Sequence, residues 1–303
     1  MGIFASKTKR MRFWFLLSMT LYPVLHFLVF TVYVNFQTIL YSFKRWNVAT
    51  GNIDWVMFEN YANIIDRLFT DQSYKYAMLN TMLWIPLNVL VLTPIAVFVA
   101  YMFSKKMRFH TFYRIVYFFP SIISIVIITM VFSFMFSPNL GIVNPILGLF
   151  GLESLQRTWL GDPSTALGTV FFFCIWAGIG FQAAILLGAI SRIPNDLYEV
   201  GKLEGITPGK ELIKVVVPMI WPTISTLVII GTSASFTIFL QSKLLTNGGP
   251  NYSTNTAALQ IVSLVTKGDY GNAAAFGIIL AIIGFIVTWT IKYFLDKNQT
   301  VEY

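Results

Sequence analysis

Charged side chains are scarce in this chain. Asp, Glu, Lys and Arg make up 11% of its 303 residues, against about 25% in soluble domains. Hydrophobic residues make up 56%, which leaves too little polar surface to keep a core of this size in water. Where charge is missing says more than how much is missing. No Asp, Glu, Lys or Arg occurs in Phe13–Phe43, Tyr76–Ser104, Ile115–Leu152, Pro163–Ser191, Val215–Ser242 or Tyr270–Ile291. Each run is long enough to cross a hydrocarbon layer as an α-helix, which takes about 20 residues. Cysteine is nearly absent as well: Cys174 stands alone and cannot form an internal disulfide. The two histidines, His26 and His110, have no Cys or carboxylate near them at metal-ligand spacing. No Ser-His-Asp or other catalytic constellation emerges, and the reading is of a non-enzyme.

These runs predict an all-α integral membrane protein with six transmembrane helices, over about 13–43, 76–104, 112–137, 165–191, 215–241 and 271–294. They form one domain over 13–296, between an N-terminal segment 1–12 and a tail 297–303. The apolar run after the first basic residues is too long for a cleaved signal peptide and reads as a signal anchor. A further uncharged stretch, Leu244–Thr266, is rich in Asn, Thr, Ser and Gly. It is expected to be a re-entrant or surface segment, because its polar half is costly in lipid unless packed on protein. Six spans put both ends on one side. That side, which includes the 105–114 and 192–214 loops, carries 14 of the 21 Lys and Arg and 6 of the 13 acids. The positive-inside rule makes it cytoplasmic. The whole excess of +8 lies there, so anionic lipid accounts for it and nucleic acid is not called for.

One stretch breaks the avoidance of charge. "PNDLYEVGKLEGITPGKELIKVVVP", Pro194–Pro218, holds four acids and three lysines. Asp196 and Glu199 have capping-box spacing, Gly205 is placed to stop a short helix, and Thr207-Pro208 restarts one. The loop 192–214 is therefore expected to be a helix–turn–helix outside the bilayer, a shape suited to docking in a groove of another protein.

Its residues Glu199-Val200-Gly201-x-x-Glu204-Gly205, with Ile213 and Pro218 following, resemble the EAA motif of the membrane subunits of bacterial ABC importers. The alanines of that motif are Val200 and Gly201 here, and its Asp is Glu204. "LLTNGGP" with Ser253-Thr254 resembles the outer segment of sugar permeases of the maltose and lactose kind. "RIPNDLYE", "FENYANI", "LNT" and "GDYGNAAAFG" fit the same family. The resemblance implies a type I importer permease in the bacterial plasma membrane, multi-pass. Its implied partners are a second homologous permease subunit in a heterodimer, two cytoplasmic ATPase subunits, an extracellular solute-binding protein and a carbohydrate substrate. It also implies that 192–214 is the coupling helix held by an ATPase, with Glu199, Gly201, Glu204 and Gly205 carrying the contact. ATP and Mg are then bound by the partner subunits, with no cofactor on this chain. The near-miss "GITPGKE" at Gly205–Glu211 agrees: it is one residue short of a phosphate-binding loop and has Glu211 where Ser or Thr holds Mg²⁺.

A translocated polar solute needs hydrogen-bonding groups and aromatic faces within the membrane. The fourth span offers Trp176, Gly180, Phe181 and Gln182, and the fifth offers Ser235, Phe236 and Gln241. Gly180/Ala184/Gly188 is equally a helix-packing seam. Neither stretch contains an ionisable Asp, Glu, Lys, Arg or His, which argues for a neutral solute. Where the maltose subunit carries fifth-span asparagines, Ser235 and Ile238 stand, so maltose itself is not implied. Two alternatives stay open: a stand-alone secondary transporter, and an ABC permease for a small solute other than sugar.

Overall fold

The computed structural model describes residues 7–46, 51–105 and 110–297. Residues 1–6 of segment 1–12, Lys106 and Arg108 of the basic 105–114 loop, and the tail beyond Lys297 lie outside the described residues. The chain is mostly helical, and among the described residues four helices are long and apolar enough to span a membrane, or up to six if each of two bent pairs is counted as one span. It divides into two compact units, Met1–Ile65 with Leu264–Ile278, and Asp66–Ser263 with Ile279–Tyr303.

In the first unit, α1 (Lys9–Ser42) is followed by an antiparallel ribbon, β1 (Lys44–Trp46) against β2 (Ile53–Trp55), and then by α2 (Glu59–Thr70). Asn60, from "FENYANI", is buried and donates to the carbonyls of Ser42 and Lys44 at 2.8 and 2.9 Å. It thereby satisfies carbonyls left open where α1 ends. Gly271, from "GDYGNAAAFG", comes close to the same carbonyl: a β-carbon there would lie 2.1 Å from Lys44 O.

The second unit holds α3 (Gln72–Ser104), α4 (His110–Ile122), α5 (Ile125–Met135), α6 (Val143–Leu149) and α7 (Pro163–Ile190). After them come α8 (Asn195–Leu203), α9 (Pro208–Met219), α10 (Trp221–Ser235) and α11 (Leu240–Thr246). The polar segment ends in α12 (Ala257–Thr266) and the last helix is α13 (Tyr270–Lys297); residues 264–278 of this stretch belong to the first unit. Asp71 and Asp162 start α3 and α7, each accepting a backbone N–H two residues on at 2.8 Å. The bonds from Ser164, backbone first, hold the Asp162 carboxyl below its usual range.

The third and fifth apolar runs are not single straight helices. Thr111–Ile122 and Ile125–Met135 meet at 105°, and Pro208–Met219 and Trp221–Ser235 meet at 74°. Pro120 and Pro222 each remove a backbone donor near the break, and Ser124 is extended at φ −53, ψ 132. The stretch expected as one helix to 241 ends at Ser235, so Gln241 belongs to the separate α11. Two π-turns have a common origin. Thr93 and Val217 send their N–H groups back five residues, to Asn88 and Leu212, just before Pro94 and Pro218. Neither proline can supply the ordinary bond to the residue four back.

The capping box expected at Asp196/Glu199 is not formed. The N-cap of α8 is Pro194, without a side-chain bond, and Asp196 sits in the first turn, where its charge complements the helix dipole. Gly205 does end α8, at φ +69. Its N–H bonds Lys202 O at 3.1 Å and that of Ile206 bonds Gly201 O at 2.9 Å, a Schellman closure.

The Asn/Thr-rich segment is packed on protein. Asn80 of "LNT" donates to Ser253 O and Asn255 O at 2.9 and 2.8 Å, and Thr81 accepts from Ala257 N at 2.9 Å. Thr254 and Thr256 are fully buried.

Candidate functional site

A cavity of about 340 Å³ opens among α3, α4, α7, α10 and α11. Of the sequence candidates, it brings together Phe181, Ser235 and Gln241. Ser235 is 3% exposed and donates to Gly231 O at 2.8 Å. Trp176, Gly180, Gln182 and Phe236 are not among its lining residues. Each of these four has another place. Trp176 joins an aromatic group with Phe132 and Phe173, at centroid distances of 6.1 and 6.3 Å. Gly180 is the seat of α4 on α7, since a β-carbon there would meet Tyr117 O at 2.6 Å and Phe118 Cα at 3.1 Å. Phe236 is buried, its ring 3.1 Å from where a β-carbon of Gly284 would stand. Gln182 is buried in the seam between α7 and α3, its Oε1 accepting from Thr93 Oγ1 at 3.3 Å. Gln182→Leu is accordingly expected to leave the concentration dependence of uptake unchanged and to move only thermal stability; a shifted uptake curve at normal stability would return Gln182 to the pathway.

Among the lining residues that were not sequence candidates are Trp84 and Asn88 of α3, Ser121 of α4 and Gly178 of α7. The signal for α3 was present in "WIPLNVLVLTP", a lone amide between two prolines, the setting that produces the π-turn over Leu87–Leu92. No Asp, Glu, Lys, Arg or His lines the cavity. Among the described residues, no group of three or more His, Cys, Asp or Glu could hold a metal ion.

The second candidate region is the charged segment. On α8, Gly201 is buried against Ile206, while Glu199, Glu204 and Gly205 are exposed. Leu197, Val200 and Leu203 recur every three residues and are exposed, Leu203 to 89%. This short helix therefore presents apolar side chains outward beside its carboxylates. The turn behind it is tied to the end of α3. Glu211, 9% exposed, pairs with Lys105 and accepts from Tyr101 OH at 3.2 Å, and Tyr101 OH also donates to Pro208 O at 3.0 Å. Lys105 Nζ stands 5.0 Å from the Tyr101 ring centroid and 4.8 Å from that of Tyr198. Burial first, and then the Glu211 charge, push the Tyr198 phenol up.

The family described as binding-protein-dependent transport system inner membrane component matches residues 92–299. The chain is 29% identical over 266 residues to the probable ABC transporter permease protein YurN of Bacillus subtilis (strain 168), covering 87% of this chain and 90% of that protein. It is 27% identical over 276 residues to the diacetylchitobiose uptake system permease protein NgcF of Streptomyces coelicolor, covering 87% and 77%. Among solved structures, a chain of a bacterial alginate ABC transporter, crystallised with an alginate pentasaccharide-bound periplasmic protein, superposes with a TM-score of 0.82 at 22% identity, over 96% of this chain and 97% of that one. At that identity the likeness concerns the fold alone.

Proposed function

This chain belongs to the family of binding-protein-dependent transport system inner membrane components, and we propose that it is the permease subunit that passes a neutral carbohydrate through an ATP-driven importer of the bacterial plasma membrane. The solute comes from an extracellular binding protein. A second, homologous permease subunit completes the pathway, and two cytoplasmic ATPases bind the ATP and Mg. In this reading the six apolar runs are six spans with both termini in the cytoplasm. The 192–214 segment is the coupling element, with Glu199, Gly201, Glu204 and Gly205 at the ATPase contact.

The observation that carries the choice of solute is the wall of the 340 Å³ cavity, which among the described residues offers two amides, two hydroxyls, an indole and the rings of Phe173 and Phe181 but no Asp, Glu, Lys, Arg or His. Such a wall matches hydroxyls and the apolar faces of sugar rings, and it gives a charged solute no counter-ion. The names of relatives such as the diacetylchitobiose permease point the same way. The exposed Leu197, Val200 and Leu203 support docking of α8 on a partner, since contiguous apolar surface outside lipid calls for cover. The same spans hold no buried carboxylate to carry a coupling proton or sodium ion.

Reconstituted with its partners, the complex is therefore expected to import carbohydrate only while ATP is present, whatever the ion gradient. Uptake that survives ATP depletion and collapses with the gradient would overturn the importer reading.

A further inference from the structure

We propose that Trp84 and Asn88, one turn apart on α3, contact the substrate in this cavity and together recognise one hydroxyl of it; this rests on the carbohydrate reading above. Trp84 is 3% exposed, and its Nε1 has no hydrogen-bond partner among the described residues. The same holds for Oδ1 of Asn88. Both residues line the cavity. An unpaired buried donor or acceptor lowers stability, whereas an apolar side chain of similar shape carries no such penalty. A purely structural α3 would be better served by phenylalanine and leucine.

The surroundings accommodate the amide oxygen without bonding it. At Gly231 of α10 a β-carbon would lie 2.2 Å from Asn88 Oδ1, so the bare backbone there makes room for the side chain. Asn88 itself lies in the π-turn over Leu87–Leu92, a distortion common at functional sites. Both polar atoms are shielded from solvent in this conformation. The assignment requires the Asn88 side chain to turn away from Gly231 when the solute enters.

The pair offers one donor and one acceptor, and a hydroxyl is the group that uses both. Its oxygen accepts from the indole N–H while its proton goes to the amide oxygen. A methyl group satisfies neither, and a carboxylate has no proton for Asn88.

The test uses the complete importer in proteoliposomes with its binding protein and ATP, and three probes: raffinose, arabinobiose and N,N′-diacetylchitobiose. Trp84→Phe removes the N–H and keeps a ring against Phe171, whose centroid is 4.6 Å away. Asn88→Leu removes the amide at similar volume. Each is expected to lower uptake of the imported probe about tenfold, the effect of one ordinary hydrogen bond. The sugar-free complexes should melt at or above the wild-type temperature, and Asn88→Asp, which still presents an acceptor oxygen, should recover most of the uptake. Unchanged uptake in both variants overturns the assignment, and so does a loss that tracks a lowered melting temperature. A wild-type complex that imports a charged or non-carbohydrate solute and none of the probes removes the carbohydrate reading, and this assignment falls with it.

Discussion

Glu211→Ala should reduce ATP-driven import by up to about thirtyfold while the subunit still inserts in the membrane. Glu211 is the common partner of Lys105 and Tyr101, at the point where the charged segment meets the end of α3. Removing one member of a buried ion pair costs about 3–5 kcal/mol because the other charge is left unpaired. Here the Lys105 side chain is 38% exposed, so water recovers part of that, and about 2 kcal/mol is the expected scale. A loss of that size is enough to free the 192–214 segment from α3, since each 1.4 kcal/mol is a factor of ten in an equilibrium. The double variant Lys105→Met/Glu211→Gln should import better than Lys105→Met alone, because no unpaired charge remains. If Glu211→Ala imported at the wild-type rate, the cluster would be a solvated surface feature and nothing more.

The same helix reaches both regions. Lys105 stands 17 positions beyond Asn88 on α3, about 25 Å at 1.5 Å per residue. One element thus has the cavity amide partway along it and the Glu211 contact at its end. The π-turn at Leu87–Leu92 itself supplies the lining residues Leu87, Asn88 and Leu92, and it is followed by a tightly packed stretch in which Ala96, Val97, Val99 and Ala100 are buried.

How much of this could be read in the residues follows from what each feature depends on. The apolar helices were legible because absence of charge is a strong, cumulative signal over 20 or more positions. The Schellman turn at Gly205 was legible because one residue type carries it. The bends at Ser124 and Ile220 were not, because no single residue dictates them: prolines at 120, 218 and 222 permit a bend or a continued helix, and packing on neighbours decides. The cavity residues failed for a different reason. Along α7 nearly every face is apolar, so no amphipathic pattern tells which side meets a cavity. Gln182 and Phe181 are adjacent, yet one is buried against Thr93 and the other lines the opening. Sequence gives a polar residue in an apolar span no direction. Asn88 is a single amide in an apolar run and carries no pattern of its own, although its place between Pro86 and Pro94 marks an irregular backbone.

Gly205→Leu should abolish coupling, with import falling by at least tenfold and membrane insertion unchanged. Gly205 has φ +69 and an empty surround, with nothing within 4 Å of a β-carbon placed there. The penalty is therefore one of backbone conformation and not of crowding within the chain: a left-handed residue other than glycine costs about 1–2 kcal/mol. The Schellman bonds from Gly205 and Ile206 depend on that conformation. If the turn relaxes to negative φ, α8 loses its closure, and Leu197, Val200 and Leu203 change direction relative to Glu211 and α3. The added side chain would also stand on the exposed face offered to an ATPase. Gly205→Asn separates the two effects, because asparagine tolerates the left-handed region but still projects a side chain. If backbone conformation is what matters, Gly205→Asn keeps most of the import that Gly205→Leu loses. If both variants fail alike and release the ATPase on purification, close approach of a partner's backbone is the reason for glycine. Normal import and full ATPase retention in Gly205→Leu would remove this turn from the coupling path.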